Sequence, residues 1–238
     1  MRPDNRRADA LRPVRLDVGY SQYAEGSCLI TQGETIVLCN ATIEEKLPAW
    51  MQKGPDARGW ITAEYSMLPR STITRTPRET TPQARTQEIR RLIARSLRAG
   101  VDLDRLGQRQ IIVDCDVLQA DGGTRTASVT GGYVALALAI RKLMDTGLVM
   151  PAVLRAPVAA VSVGMVSGEP LLDLCYEEDS RAEVDLNAVM NGEGRFIEMQ
   201  GTAEAQPFGR ATLDRMLDLA AGGIVELLRL QREALESV

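Results

Sequence analysis

The order of apolar and polar positions divides this chain into strands and helices before any single residue is interpreted. Cys28-Leu29-Ile30 and Thr35-Ile36-Val37-Leu38-Cys39 are apolar stretches separated by Gln32-Gly33-Glu34, which predicts a hairpin turning at glycine. From Leu47 to Gly59, proline, glycine and charge mark a long loop. Arg70 to Pro82, rich in Arg, Thr and Pro, also reads as loop. From Pro82 to Ala99, Ile89, Leu92, Ile93 and Leu97 recur at the spacing of one helical face, and Gly100 supplies a stop. In Gln110–Val117, Val113, Cys115 and Val117 alternate with Asp114 and Asp116, the pattern of a strand with one buried face. A helix then runs from the Asp121–Thr126 segment to about Asp145. Val129, Val134, Leu136, Leu138, Ile140 and Leu143 lie around most of its circumference, which predicts a central, buried helix.

The second half reads differently. Ala156–Val166 is a strand that ends at Ser167-Gly168-Glu169-Pro170. Leu171–Tyr176 and Ala182–Met190 are strands flanking a charged turn, and Arg195–Gly201 is another strand. A long helix, about Thr212 to Leu235, places Leu213, Met216, Leu217, Ala220, Ile224, Leu227 and Leu228 on one stripe. The order suits two ββαβ-like halves rather than an alternating βαβ chain, so an α+β fold is expected.

Composition narrows the chemistry. The 238 residues include no histidine. This excludes a Ser-His-Asp triad, a Cys-His dyad, an imidazole acid/base pair and a His-ligated zinc. Aromatics are 4%, so a base-stacking platform would have few rings to build it. Cys28, Cys39, Cys115 and Cys175 fit no zinc spacing, and each lies in an apolar, strand-like stretch, so buried free thiols are expected. No apolar segment follows the charged opening Met1-Arg2-Pro3-Asp4, and the longest apolar run is Tyr133–Ile140. Neither a signal peptide nor a membrane span is expected, and the reading is a soluble cytoplasmic protein.

The net charge of −4 conceals an uneven distribution. Residues 1–110 hold 18 basic and 13 acidic side chains, whereas residues 111–238 hold 10 and 19. Arg70–Arg98 contains eight arginines against Glu79 and Glu88; Asp173–Asp185 contains six carboxylates against Arg181. A net-acidic protein can therefore still turn a basic face to a polyanion, although either run alone reads as a solvated surface.

Four segments carry candidate chemistry. Gly122-Gly123-Thr124-Arg125-Thr126-Ala127-Ser128 joins a strand to a helix start. Helix N-termini present free N–H groups and a positive dipole end, and Arg125 adds a guanidinium fork, so the segment suits an anion. The bland alternative is a tight turn with an N-cap threonine, which has no use for Arg125. Glu177-Glu178-Asp179-Ser180-Arg181-Ala182-Glu183-Val184-Asp185 would bring residues near 179 and 185 together across a hairpin, a pair suited to an oxygen-bound divalent metal or a general acid. From spacing alone a polar surface turn explains it with fewer assumptions. Arg85 stands in the first turn of the helix after Pro82, where the dipole gives it no benefit and an anion would. Arg70, Arg75 and Arg78, interleaved with Thr and Pro, suit contact with a phosphate backbone.

Together these segments resemble the ribonuclease PH family, phosphate-dependent bacterial 3′→5′ exoribonucleases that trim tRNA ends. The likeness runs through Arg2-Pro3-Asp4, Thr62–Arg70, Arg85–Ile89, Arg91–Arg98, Asp114–Ser128, Leu172–Asn187 and Glu198–Thr202, in family order over essentially the whole chain. It implies one ribonuclease PH domain over residues 1–238, in pseudo-duplicated halves of roughly 1–150 and 151–238, with a ribosomal protein S5 domain 2-like fold. It implies inorganic phosphate as co-substrate at Arg85, Gly123, Thr124 and Arg125, with Asp179 and Asp185 holding Mg²⁺ and serving catalysis. It places tRNA precursors on Arg70, Arg75 and Arg78, and it implies a homohexamer built as a trimer of dimers. Two positions depart from the family pattern. Asn5 stands for the usual glycine, a change that left-handed backbone tolerates, and Ile73 stands where histidine is common. The rival readings are a catalytically inactive RNA-binding ring subunit and a metal-dependent hydrolytic nuclease.

Overall fold

Among the described residues, nine strands and five α-helices form two sheets with helices packed on them. The structure, a computed structural model, describes residues 2–52, 58–78, 83–204 and 206–238. Pro82 and Glu79 lie outside the described residues. In the first half, β1 (Val14–Val18), β2 (Gly26–Gln32), β3 (Thr35–Glu44), β4 (Trp60–Met67) and β5 (Gln110–Gln119) form one sheet in the order β1-β2-β3-β5-β4. The expected hairpin is the β2–β3 pair, with Gly33 at φ 57° in its turn. The pairing of β4 with β5 is parallel, as a helical crossover requires, and α1 (Ala84–Ala99) is that crossover. Its predicted face, Ile89, Leu92, Ile93 and Leu97, is buried. A short helix, α2 (Leu103–Leu106), precedes β5.

The central helix, α3 (Thr124–Asp145), is covered from both sides. It packs on β2 and β3 of the first sheet and on β6 (Val158–Val166) of the second. This explains its nearly unbroken apolar circumference. Two polar side chains inside this contact bond across it. Thr130 Oγ1 donates to the Ala160 carbonyl at 3.2 Å and accepts from the Ala160 N–H at 3.1 Å. Gln231 Nε2 donates to the Thr130 and Val158 carbonyls, at 2.9 Å each.

The second sheet has the order β7-β6-β8-β9, with β7 (Glu169–Leu172), β8 (Val184–Asn191) and β9 (Phe196–Ala203), all antiparallel. The helix α5 (Arg210–Glu236) covers it with Met216, Ala220, Ile224 and Leu227, the predicted stripe.

One region departs from the sequence reading. The strand expected over Leu171–Tyr176 stops at Leu172. Asp173 takes a left-handed conformation at φ 56°, and Tyr176–Asp179 form a single helical turn, α4. Nor do β7 and β8 form a hairpin, because they lie on opposite sides of β6. The charged segment between them crosses over the sheet end. Cys175 consequently sits at the start of α4, half-buried, whereas Cys28, Cys39 and Cys115 are buried free thiols lined up across β2, β3 and β5. Burial pushes the Cys28 thiol up to about 12.

Candidate active site

The strand β5 ends at Gln119, and the chain turns through Gly122 (φ 73°) and Gly123 (φ 66°) into α3. These are left-handed angles that glycine adopts without steric cost. Gly123 is the N-cap and has no side chain to bond the first-turn N–H groups. The N-cap threonine alternative is thereby set aside: Thr124 is the first helical residue. Its hydroxyl is 2.9 Å from the Tyr65 phenol. The 22-residue helix thus presents its N-terminus without a side-chain cap beside Arg125.

Arg125 is held from behind. Its Nη1 donates to Gln200 Oε1 at 3.2 Å and to Glu88 Oε2 at 3.4 Å, while Gln200 Nε2 donates to Glu88 Oε1 at 2.9 Å. These partners come from β9 and α1, so three elements fix one guanidinium.

The carboxylates arrive from the second half. Asp179 ends α4 and Asp185 lies near the start of β8, where Asn187 Nδ2 donates to its two oxygens at 3.2 and 3.4 Å. Burial and then the charge of Asp179 push Asp185 up to about 6, against the opposing pull of Arg125. Burial likewise raises Asp179, with Arg85 and Arg125 acting against it. Tyr65, on β4 next to β5, is raised by burial, with its Thr124 bond and the charges of Arg85 and Arg125 opposing.

Most of these groups, though not Tyr65, Glu88 or Gln200, line one cavity of about 900 Å³. Arg70, Arg85, Gly123, Thr124, Arg125, Asp179 and Asp185 border it, as does Ile73. Arg75 and Arg78 do not; they are exposed on the loop beside it. Sequence reasoning assigned no role to Tyr65, Glu88, Asn187 or Gln200. Each falls within a quoted motif; Asn187 stands two residues from Asp185 on one strand face, while only the folded chain pairs Tyr65 with Thr124 and sets Glu88 and Gln200 on Arg125.

The chemistry of the donors can be tested against a divalent ion. Burial is the first cause that raises both carboxylates, with arginine charge acting against it. Among the described residues no three His, Cys, Asp or Glu side chains converge as a metal cage. Two carboxylates fit Mg²⁺, which is usually held by one or two carboxylates with substrate phosphate and water completing the shell.

Residues 10–142 match the family model described as "3' exoribonuclease family, domain 1", and residues 156–223 match its domain 2. The chain belongs to the ribonuclease PH family. It is 54% identical over 239 residues to Ribonuclease PH of Solibacter usitatus (strain Ellin6076), covering 99% of this chain and all of that one. It is 57% identical to Ribonuclease PH of Synechococcus sp. (strain JA-3-3Ab), covering 98% of each. As a ribonuclease PH family member it is a phosphorolytic 3′→5′ exoribonuclease, a nucleotidyltransferase acting on RNA. Solved structures share its fold at low identity. Rice (Oryza sativa) Rrp46 superposes with a TM-score of 0.80 at 16% identity, covering 98% of this chain and 100% of that one. The Archaeoglobus fulgidus exosome with RNA bound to the active site gives 0.78 at 24%, covering 96% and 91%. The fold is α+β, ribosomal protein S5 domain 2-like, in two sheet-containing halves.

Proposed function

We propose that the cavity is the phosphorolytic site and that its two walls have separate duties. The observation that carries this is the convergence of Arg125 at the open N-terminus of α3 with Asp179 and Asp185, from opposite halves of the chain, in one pocket. Arg85, Arg125 and the backbone of Gly123 and Thr124 bind inorganic phosphate. A phosphate oxygen attacks the phosphorus of the last phosphodiester, the bond to O3′ of the preceding nucleotide breaks, and a nucleoside diphosphate leaves. Negative charge grows on non-bridging oxygens, and fixed guanidinium groups stabilise it. Asp179 and Asp185 would hold Mg²⁺, which when bound supplies further stabilisation of that charge. Asp185, the deeper of the two, returns a proton to the leaving O3′.

Arg70 stands at the mouth, and Arg75 and Arg78 extend the basic loop outward to grip the RNA body, with tRNA precursors as the substrate class. The proposed assembly is a homohexamer, a trimer of dimers, in the cytoplasm. Among the described residues no helix is long and apolar enough to cross a membrane. We also propose that residues 1–238 act as one unit, with halves meeting at this cavity.

The direct test is RNA incubated with protein and Mg²⁺, with and without phosphate. Nucleoside diphosphates that appear only with phosphate support the proposal. Monophosphates without phosphate would show a hydrolytic nuclease, and no release would show an RNA-binding subunit. The loop assignment has its own test. Arg75→Ala and Arg78→Ala should each weaken tRNA-precursor binding and lower the salt slope of binding by roughly one unit, leaving the phosphate requirement unchanged. An unchanged slope in both variants would make the loop a solvated charge run.

A further inference from the structure

Two arginines of the N-terminal segment lie inside the molecule and take no part in the site as described. Arg2 is 7% exposed and Arg12 3%. Burying a guanidinium is unfavourable unless its fork is paired, so the destination of its donors is informative. Arg2 Nε and Nη2 donate to the two Glu178 oxygens at 2.7 and 2.8 Å, and Nη2 also to the Leu172 and Asp173 carbonyls at 2.8 and 3.0 Å. Those acceptors belong to the second half.

Arg12 bridges the halves. Its Nη2 and Nε donate to Asp173 at 2.7 and 3.1 Å, and its backbone N–H donates to the same carboxylate at 2.8 Å. Its Nη1 donates to the Asp121 carbonyl, and Nη2 reaches the Gly122 carbonyl at 3.4 Å. Thr35, fully buried, donates its hydroxyl to that Gly122 carbonyl at 2.7 Å and accepts from the Asp121 N–H at 3.0 Å.

The loop also rests directly on the chain that leads to Asp179. A Cβ at Gly122 would stand 2.5 Å from the Leu174 carbonyl and 3.0 Å from the Tyr176 nitrogen. Asp121 Oδ1 accepts from the Tyr176 N–H at 3.0 Å. In a trans peptide the carbonyl and the following N–H point in opposite directions. Fixing the Asp121 and Gly122 carbonyls on Arg12 and Thr35 therefore fixes the N–H directions of Gly122 and Gly123. Arg12 itself does not line the cavity.

We propose that Arg12, assisted by Thr35, is a positioning residue for phosphorolysis: it sets the backbone of the phosphate loop Gly122–Thr124 and its spacing from Asp179. The inference rests on the assignment of Gly123, Thr124 and Arg125 to phosphate. Arg12→Lys keeps a cation beside Asp173 but cannot span both sides. Thr35→Val removes one hold on the Gly122 carbonyl without touching the ion pair, and Thr35→Ser keeps it.

The experiment measures initial rates against phosphate concentration at saturating RNA and constant ionic strength, together with Tm. Arg12→Lys should raise the phosphate KM roughly tenfold, and Thr35→Val by a smaller factor, each more than it lowers kcat. Thr35→Ser should restore the wild-type KM. Arg2→Lys, whose partners lie on the other side, should leave the phosphate KM in place. An unchanged phosphate KM in both Arg12→Lys and Thr35→Val, with only Tm lowered, overturns the proposal. Should Arg12→Lys not fold, Thr35→Val decides alone. Arg125→Ala is measured alongside. If it leaves the phosphate dependence unchanged, the phosphate site is misassigned and this inference falls with it. If it raises the dependence while Thr35→Val and Arg12→Lys do not, this inference alone fails.

Discussion

Asp185→Asn should reduce phosphorolysis by about 10²–10³-fold or more, the scale on which removal of a single charge-stabilising group acts in a preorganised site. The loss should fall on kcat, because the carboxylate is needed as phosphorus–oxygen bonds change and not for gripping RNA. The structure also shows why the variant should fold. Asparagine keeps an oxygen that can accept from Asn187 Nδ2, which lies 3.2 Å from one aspartate oxygen. The charge removed is one that burial and Asp179 already disfavour, since they push this carboxyl up to about 6. A carboxyl whose folded-state pKa is raised above its unfolded value loses stability for the fold as pH rises past the unfolded value. Removing it should therefore leave Tm at neutral pH unchanged or higher. Single-turnover rates, RNA binding and a melting curve check the three parts. Near-normal turnover would sink the assignment of Asp185 to metal binding and proton return.

Arg125→Ala should raise the phosphate concentration needed for half-maximal rate by about 10- to 100-fold, from the worth of a hydrogen bond to a charged group. Removing the side chain leaves the open end of α3 but takes away the fork held by Gln200 at 3.2 Å and Glu88 at 3.4 Å. Arg125→Lys should rescue little, because an ammonium is a point charge without the planar fork. RNA affinity measured without phosphate should fall much less. Arg85→Ala should behave in the same sense, as the second cation on the cavity wall. The measurement is rate against phosphate for all three variants at fixed ionic strength. If Arg125→Ala leaves that curve in place while RNA binding collapses, this arginine grips RNA and the nucleophile sits elsewhere.

Much of this architecture was readable along the chain, and the reasons are local. Alternation around Val113, Cys115 and Val117 marked β5, and the all-round apolar pattern of Val129 to Leu143 marked α3 as central. The Ile89–Leu97 face of α1 and the Met216–Leu227 stripe of α5 emerged as buried surfaces. Asn5 does adopt the left-handed angle expected where the family pattern has glycine, at φ 59°. Two strands, Val14–Val18 and Trp60–Met67, were not anticipated. The second alternates Ile61, Ala63, Tyr65 and Met67 with Thr62, Glu64 and Ser66, the same period-two pattern that marked β5, so this strand was legible along the chain.

The acidic pair illustrates the boundary. Asp179 and Asp185 were expected to approach across a hairpin that does not exist, and the fold brings them to one cavity by another route. Apolar periodicity tells where a strand lies and which face it buries, because those depend on neighbours two residues away. It is silent on which strand becomes the neighbour. That depends on contacts across the molecule, and here β6 takes the place between β7 and β8. The same holds for Arg12, Glu88 and Gln200, whose partners lie up to 161 residues away. The sequence alone therefore determined the class of fold, the helix start after two glycines and the supply of arginines and carboxylates. The tertiary structure decided which of them meet. Packing α3 between the two sheets brings the end of β5 against the start of α4, and this closes the two halves around one cavity.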